Sequence, residues 1–314
     1  MKKGLIKIFE LKNIISIKDL NKSDIDYIID EASKLEDIAK SREISEELKG
    51  KILGLMFFEP STRTKMSFET SMKRLSGECI GFENTGSSSV SKGESIADTA
   101  KMFEGYCDAL VIRHEMEGVS KFISDIVDVP VINAGDGAGQ HPTQTLLDLY
   151  TIKKEIGHID NIKIALIGDL KYGRTVHSLV QAMCNFKAKF NFVSPVELKM
   201  PSTVIQYIKN AGLEYHEYTD LESVIPNSDI IYMTRVQRER FPDPLEYEKV
   251  KNSYVLRNDM LENSRPNCRI LHPLPRVNEI HTDVDSNPKA YYFQQAQNGL
   301  YVRQALIAAI LGLK

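Results

Sequence analysis

Cysteine is scarce in this chain. The 314 residues hold four, Cys79, Cys107, Cys184 and Cys268, and their wide separation excludes the C-x-x-C spacing of zinc sites and redox motifs. All four read as buried thiols without a ligand or catalytic role. Long apolar runs are missing too. Nothing nears membrane-spanning length, and the N-terminus, Met1-Lys2-Lys3-Gly4-Leu5-Ile6-Lys7, breaks its apolar residues with charge too often for a signal-peptide core. These absences predict a cytoplasmic protein with no membrane partner. Positive charge is not in excess: 40 Lys and Arg stand against 43 Asp and Glu, a net charge of −3 that argues against non-specific nucleic-acid binding. Any basic site must be local. The G-x-G-x-x-G fingerprint is not met either. Gly168 and Gly173 have a different spacing, which argues against a nicotinamide cofactor. The chain has no short internal repeat and no low-complexity tail.

What is present is an ordinary globular composition, 42% hydrophobic and 26% charged. At this length two domains of about 150 residues each are expected. The apolar register resets at Lys163-Ile164-Ala165-Leu166-Ile167, where a second βαβ domain begins. Strand-like runs at 189–193, 213–218, 229–233 and 269–271 alternate with helix-like ones. The fold class is therefore α/β, with parallel, doubly wound sheets.

The most informative stretch is Phe57-Phe58-Glu59-Pro60-Ser61-Thr62-Arg63-Thr64. An apolar strand over 51–58 meets Pro60, which cannot continue a ladder; Ser61 is a good N-cap, and Phe68, Met72 and Leu75 recur at helical spacing until Gly77. Ser61 to Thr64 therefore begin a helix, where main-chain N–H groups, the positive end of the dipole, three hydroxyls and a guanidinium suit a phosphate. A plain capped helix with Arg63 in solvent is the competing reading.

Upstream, Ser23-Asp24-Ile25-Asp26 resembles a capping box that opens a stripe of Ile25, Ile28, Ile29, Ala32, Leu35 and Ile38. Downstream, a strand at 79–82 leads into the polar run Thr85 to Glu94, either a plain loop or a mobile arm carrying Lys92 and a serine to an anion. The strand 109–112 ends on Arg113, where ligands of open α/β sheets collect. A strand at 129–132 feeds three glycines in five residues, then His141-Pro142-Thr143-Gln144, which opens a helix with Leu146, Leu147, Leu149 and Tyr150 inward. His141 and Gln144 share its first face, and His141 is either a cap or a catalyst. In the second half Arg174 tops a strand, and extended geometry after Met233 would put Arg235 and Gln237 on one side of the chain. His272-Pro273-Leu274-Pro275-Arg276 makes a stiff turn able to present the Leu274 carbonyl, with a cis bond plausible before Pro275. The final stretch, 292–313, predicts an amphipathic helix returning to the first domain.

Taken in order, Ser61-Thr62-Arg63-Thr64, Lys92-Gly93-Glu94, Arg113, His141-Pro142-Thr143-Gln144, Gly168 to Arg174, Arg235-Val236-Gln237 and His272-Pro273-Leu274-Pro275 resemble the aspartate/ornithine carbamoyltransferases over nearly the whole chain. The Pro-Leu-Pro turn and the Arg-Val-Gln segment are similar to the aspartate branch; ornithine-specific members have a His-Cys-Leu-Pro turn, and Pro273 stands there instead. Asn278 occupies a position often acidic in that family, a departure that bears on local packing.

The resemblance implies two domains, residues 1–142 with 292–314 for carbamoyl phosphate and 143–291 for aspartate, with the active site in the cleft between them. It implies carbamoyl transfer to L-aspartate in pyrimidine biosynthesis, without metal or cofactor. Ser61, Thr62, Arg63, Thr64 and Arg113 would hold the phosphate; Thr64, Arg113 and His141 the carbonyl oxygen; Gln144 and the Leu274 and Pro275 main chain the amide. Arg63, Thr64, Arg113 and His141 would form the catalytic group, and Lys92, Arg174, Arg235 and Gln237 would bind aspartate. Ser88 and Lys92 would come from the neighbouring subunit of a cyclic homotrimer, and domain closure would follow the second substrate. A separate regulatory chain is left open. A carbamoyltransferase for ornithine or another amine, or a non-catalytic anion-binding scaffold, are the alternative readings.

Overall fold

The computed structural model describes residues 11–41, 43, 45–84, 89–238, 241 and 243–312. The chain divides into two compact units, one comprising Met1–Leu146 with Gly299–Lys314, the other Leu147–Asn298. Both boundaries lie a few residues later than the sequence suggested. They fall inside helices, α5 (Pro142–Ile156) and α9 (Tyr292–Leu311), not in loops.

In the first unit, four parallel strands, β1 (Ile52–Phe57), β2 (Glu78–Phe82), β3 (Ala109–His114) and β4 (Val131–Asp136), lie in the order β2-β1-β3-β4. Leu53 pairs with Ala109, and Phe57 with Arg113. Strands β3 and β4 are buried at every position, as expected where both faces of a parallel sheet are covered. Edge strand β2 is partly exposed. Helices α1 (Lys22–Ser41), α2 (Thr62–Arg74), α3 (Ile96–Glu104) and α4 (Val119–Ile126) complete the unit with the first turn of α5 and the end of α9.

The second unit has five parallel strands, β5 (Lys163–Ile167), β6 (Lys189–Val193), β7 (Tyr215–Tyr218), β8 (Ile230–Met233) and β9 (Arg269–Leu271), in the order β7-β6-β5-β8-β9. Helices α6 (Arg174–Cys184), α7 (Ser202–Asn210) and α8 (Pro244–Val250) belong to it. One core cluster gathers Ala165, Ile167, Val193, Ile231, Met233, Ile270 and Tyr292.

Three local expectations differ from the structure. Helix α1 is capped by Asn21, not Ser23: the Asn21 side-chain oxygen accepts from the Ser23 and Asp24 N–H groups, and Asp24 returns a bond to the Asn21 N–H. Ile25 to Leu35 form the buried stripe regardless. Helix α9 is buried around most of its circumference over 301–308, because its partners surround it; the apolar stripe of a surface helix is absent. Cys107 and Cys268 are buried, but Cys79 and Cys184 are only half-buried. Desolvation pushes the Cys79 thiol up to about 12 and Cys184 to about 11, which keeps both protonated and inert.

Candidate active site

A parallel sheet puts the carboxyl ends of all its strands along one edge, and a binding crevice opens where successive crossovers turn in opposite directions. In the first unit that point lies between β1 and β3. The start of α2 follows β1, and Arg113 ends β3. The main chain ties the two together: the Phe58 N–H donates to the Arg113 carbonyl at 2.9 Å.

Ser61 is the N-cap of α2 by backbone geometry, yet its side chain makes no capping bond. The hydroxyl donates instead to Thr64 Oγ1 at 3.0 Å. The first-turn N–H groups are thus left for something other than Ser61 Oγ. Thr64 is buried, while Thr62 and Arg63 are exposed. Partial desolvation lowers the Arg63 pKa from its usual value, although a guanidinium stays charged at any ordinary pH. Arg113 is buried and held by neighbours that the sequence did not reveal. Its Nη1 donates to the Ala134 carbonyl at 3.1 Å, and its Nη2 lies 3.1 Å from Glu59 Oε2. The second contact is an ion pair by distance only, since Glu59 Oε2 lacks a hydrogen bond of good geometry. In the sequence Glu59 belongs to the turn before α2, and its contact with Arg113 is a long-range one without a sequence signal.

His141, Thr143 and Gln144 are buried at the start of α5, with Thr143 Oγ1 3.5 Å from His141 Nδ1. The preceding loop is built around Asp136, which accepts from the N–H groups of Gly118 and Gln140 and from Asn133 Nδ2. Gly137 needs its missing side chain. At φ +47, a Cβ there would sit 2.4 Å from the Glu115 carbonyl. A further residue without any motif, Arg303 of α9, bridges the second turn of α2 and the start of α5. It donates to Ser67 Oγ at 2.8 Å and to Thr143 Oγ1 at 3.4 Å, and stacks over Phe68.

In the second unit the switch point lies between β5 and β8. Arg174 begins α6 after β5, while Arg235 and Gln237 follow β8, all of them half-buried. The extended strand does not persist beyond Met233, so strand alternation does not place Arg235 and Gln237. Contacts between loops do. The Asp169 N–H donates to Thr234 Oγ1 at 2.9 Å, and a Cβ on Gly168, at φ +115, would meet the Thr234 carbonyl at 2.5 Å. Asp169 itself is fully buried and accepts from the Tyr172 N–H at 2.9 Å. Burial raises its carboxyl to about 6, against the opposing pull of the Tyr172, Gln237 and Lys171 N–H groups. Its Oδ2 has no hydrogen-bond partner among the described residues.

After β9, the Leu274–Pro275 bond is cis, and Leu274 has a left-handed backbone with φ +54. Asn278, the one departure noted in the sequence, is exposed and donates to Asn252 Oδ1, a surface contact. Lys92 ends a 3-10 turn, Ser89–Lys92, and is exposed, whereas Ser88 lies outside the described residues. Among the described residues, no group of three or more His, Cys, Asp or Glu could hold a metal ion, and no helix is long and apolar enough to cross a membrane.

Two family models cover the chain. The aspartate/ornithine carbamoyltransferase carbamoyl-P binding domain matches residues 12–154, and the Asp/Orn binding domain of the same family matches 160–310. This chain belongs to the aspartate/ornithine carbamoyltransferase family. Among relatives of this carbamoyltransferase, the aspartate carbamoyltransferase catalytic subunit of Methanobrevibacter smithii is 64% identical over 98% of this chain and 97% of that one. The catalytic subunit of M. jannaschii aspartate transcarbamoylase superposes with a TM-score of 0.89 at 50% identity, over 96% of this chain and 98% of that one. An aspartate transcarbamoylase from Trypanosoma cruzi, solved with carbamoyl phosphate and aspartate, gives 0.91 at 37% identity over 96% and 97%.

Proposed function

We propose that this carbamoyltransferase moves the carbamoyl group of carbamoyl phosphate to the amino group of L-aspartate, giving N-carbamoyl-L-aspartate and phosphate for pyrimidine biosynthesis. The observation that carries this reading is the α2 start, four donor residues from Ser61 to Thr64, set beside Arg113 at a sheet switch point. The T. cruzi relative, solved with both substrates, supports it.

The phosphate binds the α2 start through Ser61, Thr62, Arg63 and Thr64, with Arg113 beside it. Gln144 and the main chain at Leu274 and Pro275 read the carbamoyl NH₂. The aspartate nitrogen attacks the carbonyl carbon, and negative charge grows on its oxygen, facing Thr64, Arg113 and His141. His141 donates to that oxygen and is not the base. As the tetrahedral intermediate collapses, the carbon–oxygen bond to phosphate breaks, and the departing phosphate takes the amine proton. The enzyme supplies no nucleophile, only alignment and fixed charge. Aspartate brings two carboxylates, matched by the planar guanidinium groups of Arg174 and Arg235 with Gln237 assisting.

Lys92 reaches the site of a neighbouring subunit in a cyclic homotrimer, located in the cytoplasm. Association of such trimers with a separate regulatory chain is checked by a native mass measurement of the protein purified with its cellular partners.

A colorimetric assay for the ureido product tests the reaction itself. Product is expected from carbamoyl phosphate with aspartate and not with ornithine, whose cationic side chain would face two arginines. Product from ornithine alone would reverse the specificity, and product from neither would favour the scaffold reading.

A further inference from the structure

We infer that His272 is a positioning residue for the acyl donor: through Nδ1 it fixes the main chain of Leu274, and so the Leu274 carbonyl, an inference that rests on the role given to Leu274 above.

Leu274 needs holding. At φ +54 it occupies a left-handed conformation disfavoured for a residue with a branched side chain. Its N–H donates to His272 Nδ1 at 2.8 Å, two residues back. A ring nitrogen that accepts carries no proton, so the imidazole hydrogen sits on Nε2 and donates to Glu279 Oε1 at 2.7 Å. Glu279 also grips the far side of the turn, because Oε2 accepts from the Val277 and Asn278 N–H groups, each at 3.1 Å.

The histidine is anchored at its backbone as well. Its N–H donates to Gln295 Oε1 at 2.7 Å, Gln295 Nε2 donates to Asp148 Oδ1 at 2.6 Å, and the Tyr232 hydroxyl donates to Asp148 Oδ2 at 2.8 Å. With His272 only 1% exposed, its ring has one orientation and one tautomer.

The charge state agrees with this arrangement. Burial, the largest influence, lowers the His272 pKa despite the opposing pull of Glu279, so the ring stays neutral. At Glu279 burial acts upward, but the hydrogen bonds from His272 and the main chain outweigh it and leave the carboxylate charged.

Two substitutions separate the ends of the ring. In His272→Asn the side-chain oxygen can accept from the N–H two residues on, as Nδ1 does. In His272→Gln the amide reaches toward Glu279, as Nε2 does, and Leu274 loses its acceptor. The Gln variant is expected to raise the KM for carbamoyl phosphate about tenfold or more while the KM for aspartate stays within about threefold; the Asn variant recovers most of that loss. Equal behaviour of the two, or equal loss for both substrates, overturns the inference.

If neither variant folds, ¹⁵N NMR of the wild-type imidazole decides. An acceptor Nδ1 resonance that moves on adding carbamoyl phosphate supports the role, and a protonated or unmoved Nδ1 overturns it. A wild-type chain that makes no ureido product overturns both this inference and the reading of Leu274, whereas an active wild type with equivalent variants overturns the inference alone.

Discussion

Arg63 and Arg235 are both guanidinium groups at the mouth of a sheet, yet removing them should have different consequences. Arg63 stands at the α2 start beside the proposed leaving phosphate, so Arg63→Ala should lower kcat by on the order of 10²-fold or more. An unchanged kcat in a steady-state assay would remove it from the reaction. Arg235 follows β8 in the other unit, and Arg235→Ala should raise the KM for aspartate at least tenfold while carbamoyl phosphate binding, read by calorimetry, changes little. Equal effects on both ligands would contradict that division.

Asp169 makes a different kind of prediction. Its folded pKa of about 6 lies above the usual 3.8 because burial disfavours the charge. The folded state therefore binds more protons than the unfolded one across that interval, and stability falls as pH rises through it. Relative to Asp169→Asn, wild-type unfolding free energy should drop by about 2 kcal/mol between pH 4 and 6.5 and then level off. Urea melts of the two proteins across that range check this, and a flat difference would show that Asp169 does not titrate there. The sequence displayed Asp169 inside a motif but could not show its burial, which comes from Thr234 and the N–H groups closing over it.

Strands and helices were legible wherever local pattern decides them. The run Ile164 to Ile167 is a buried strand, Lys189 to Val193 is a strand that buries Phe190, Phe192 and Val193, and Leu146 to Tyr150 are buried in α5, all as their apolar spacing implies. Ends were less legible, because caps depend on which side chain closes the first turn: Asn21 outcompetes Ser23 at α1, and the Ser61 hydroxyl turns to Thr64. Loop geometry at the carboxyl ends rests on individual glycines. Gly168→Ala would force a side chain against the Thr234 carbonyl at a backbone angle suited to glycine, and should cost about 1–3 kcal/mol of stability together with weaker aspartate binding. Gly157→Ala makes a useful comparison, since its φ of +89 is also positive and beyond the ordinary left-handed region, but no atom lies within 4 Å of the added Cβ. Equal losses by thermal melting would assign the effect to backbone strain alone, not to the contact with Thr234.

At the scale of the whole molecule, the proposed sharing of sites between subunits gives the sharpest test. Lys92→Ala and Arg174→Ala chains, each inactive alone, should regain part of their activity when mixed, because a trimer holding both contains sites with neither defect. Well-folded mixtures that remain inactive, followed by the ureido assay, would argue against a neighbour's lysine in the site.

Residue order along the chain determined the kinds of chemistry available: where the cations and hydroxyls stand, that each follows a strand, and that two αβ units carry them. Those properties are local, set by spacing, turn residues and charge. Only the tertiary structure decided the strand orders β2-β1-β3-β4 and β7-β6-β5-β8-β9, which put the α2 start beside Arg113, and Arg174 beside the segment after β8. It also decided that Glu59 meets Arg113, that Arg303 joins α2 to the start of α5 and that His272 holds Leu274. Contacts of that kind join residues through burial and backbone placement, and neither is written in the spacing of any single segment.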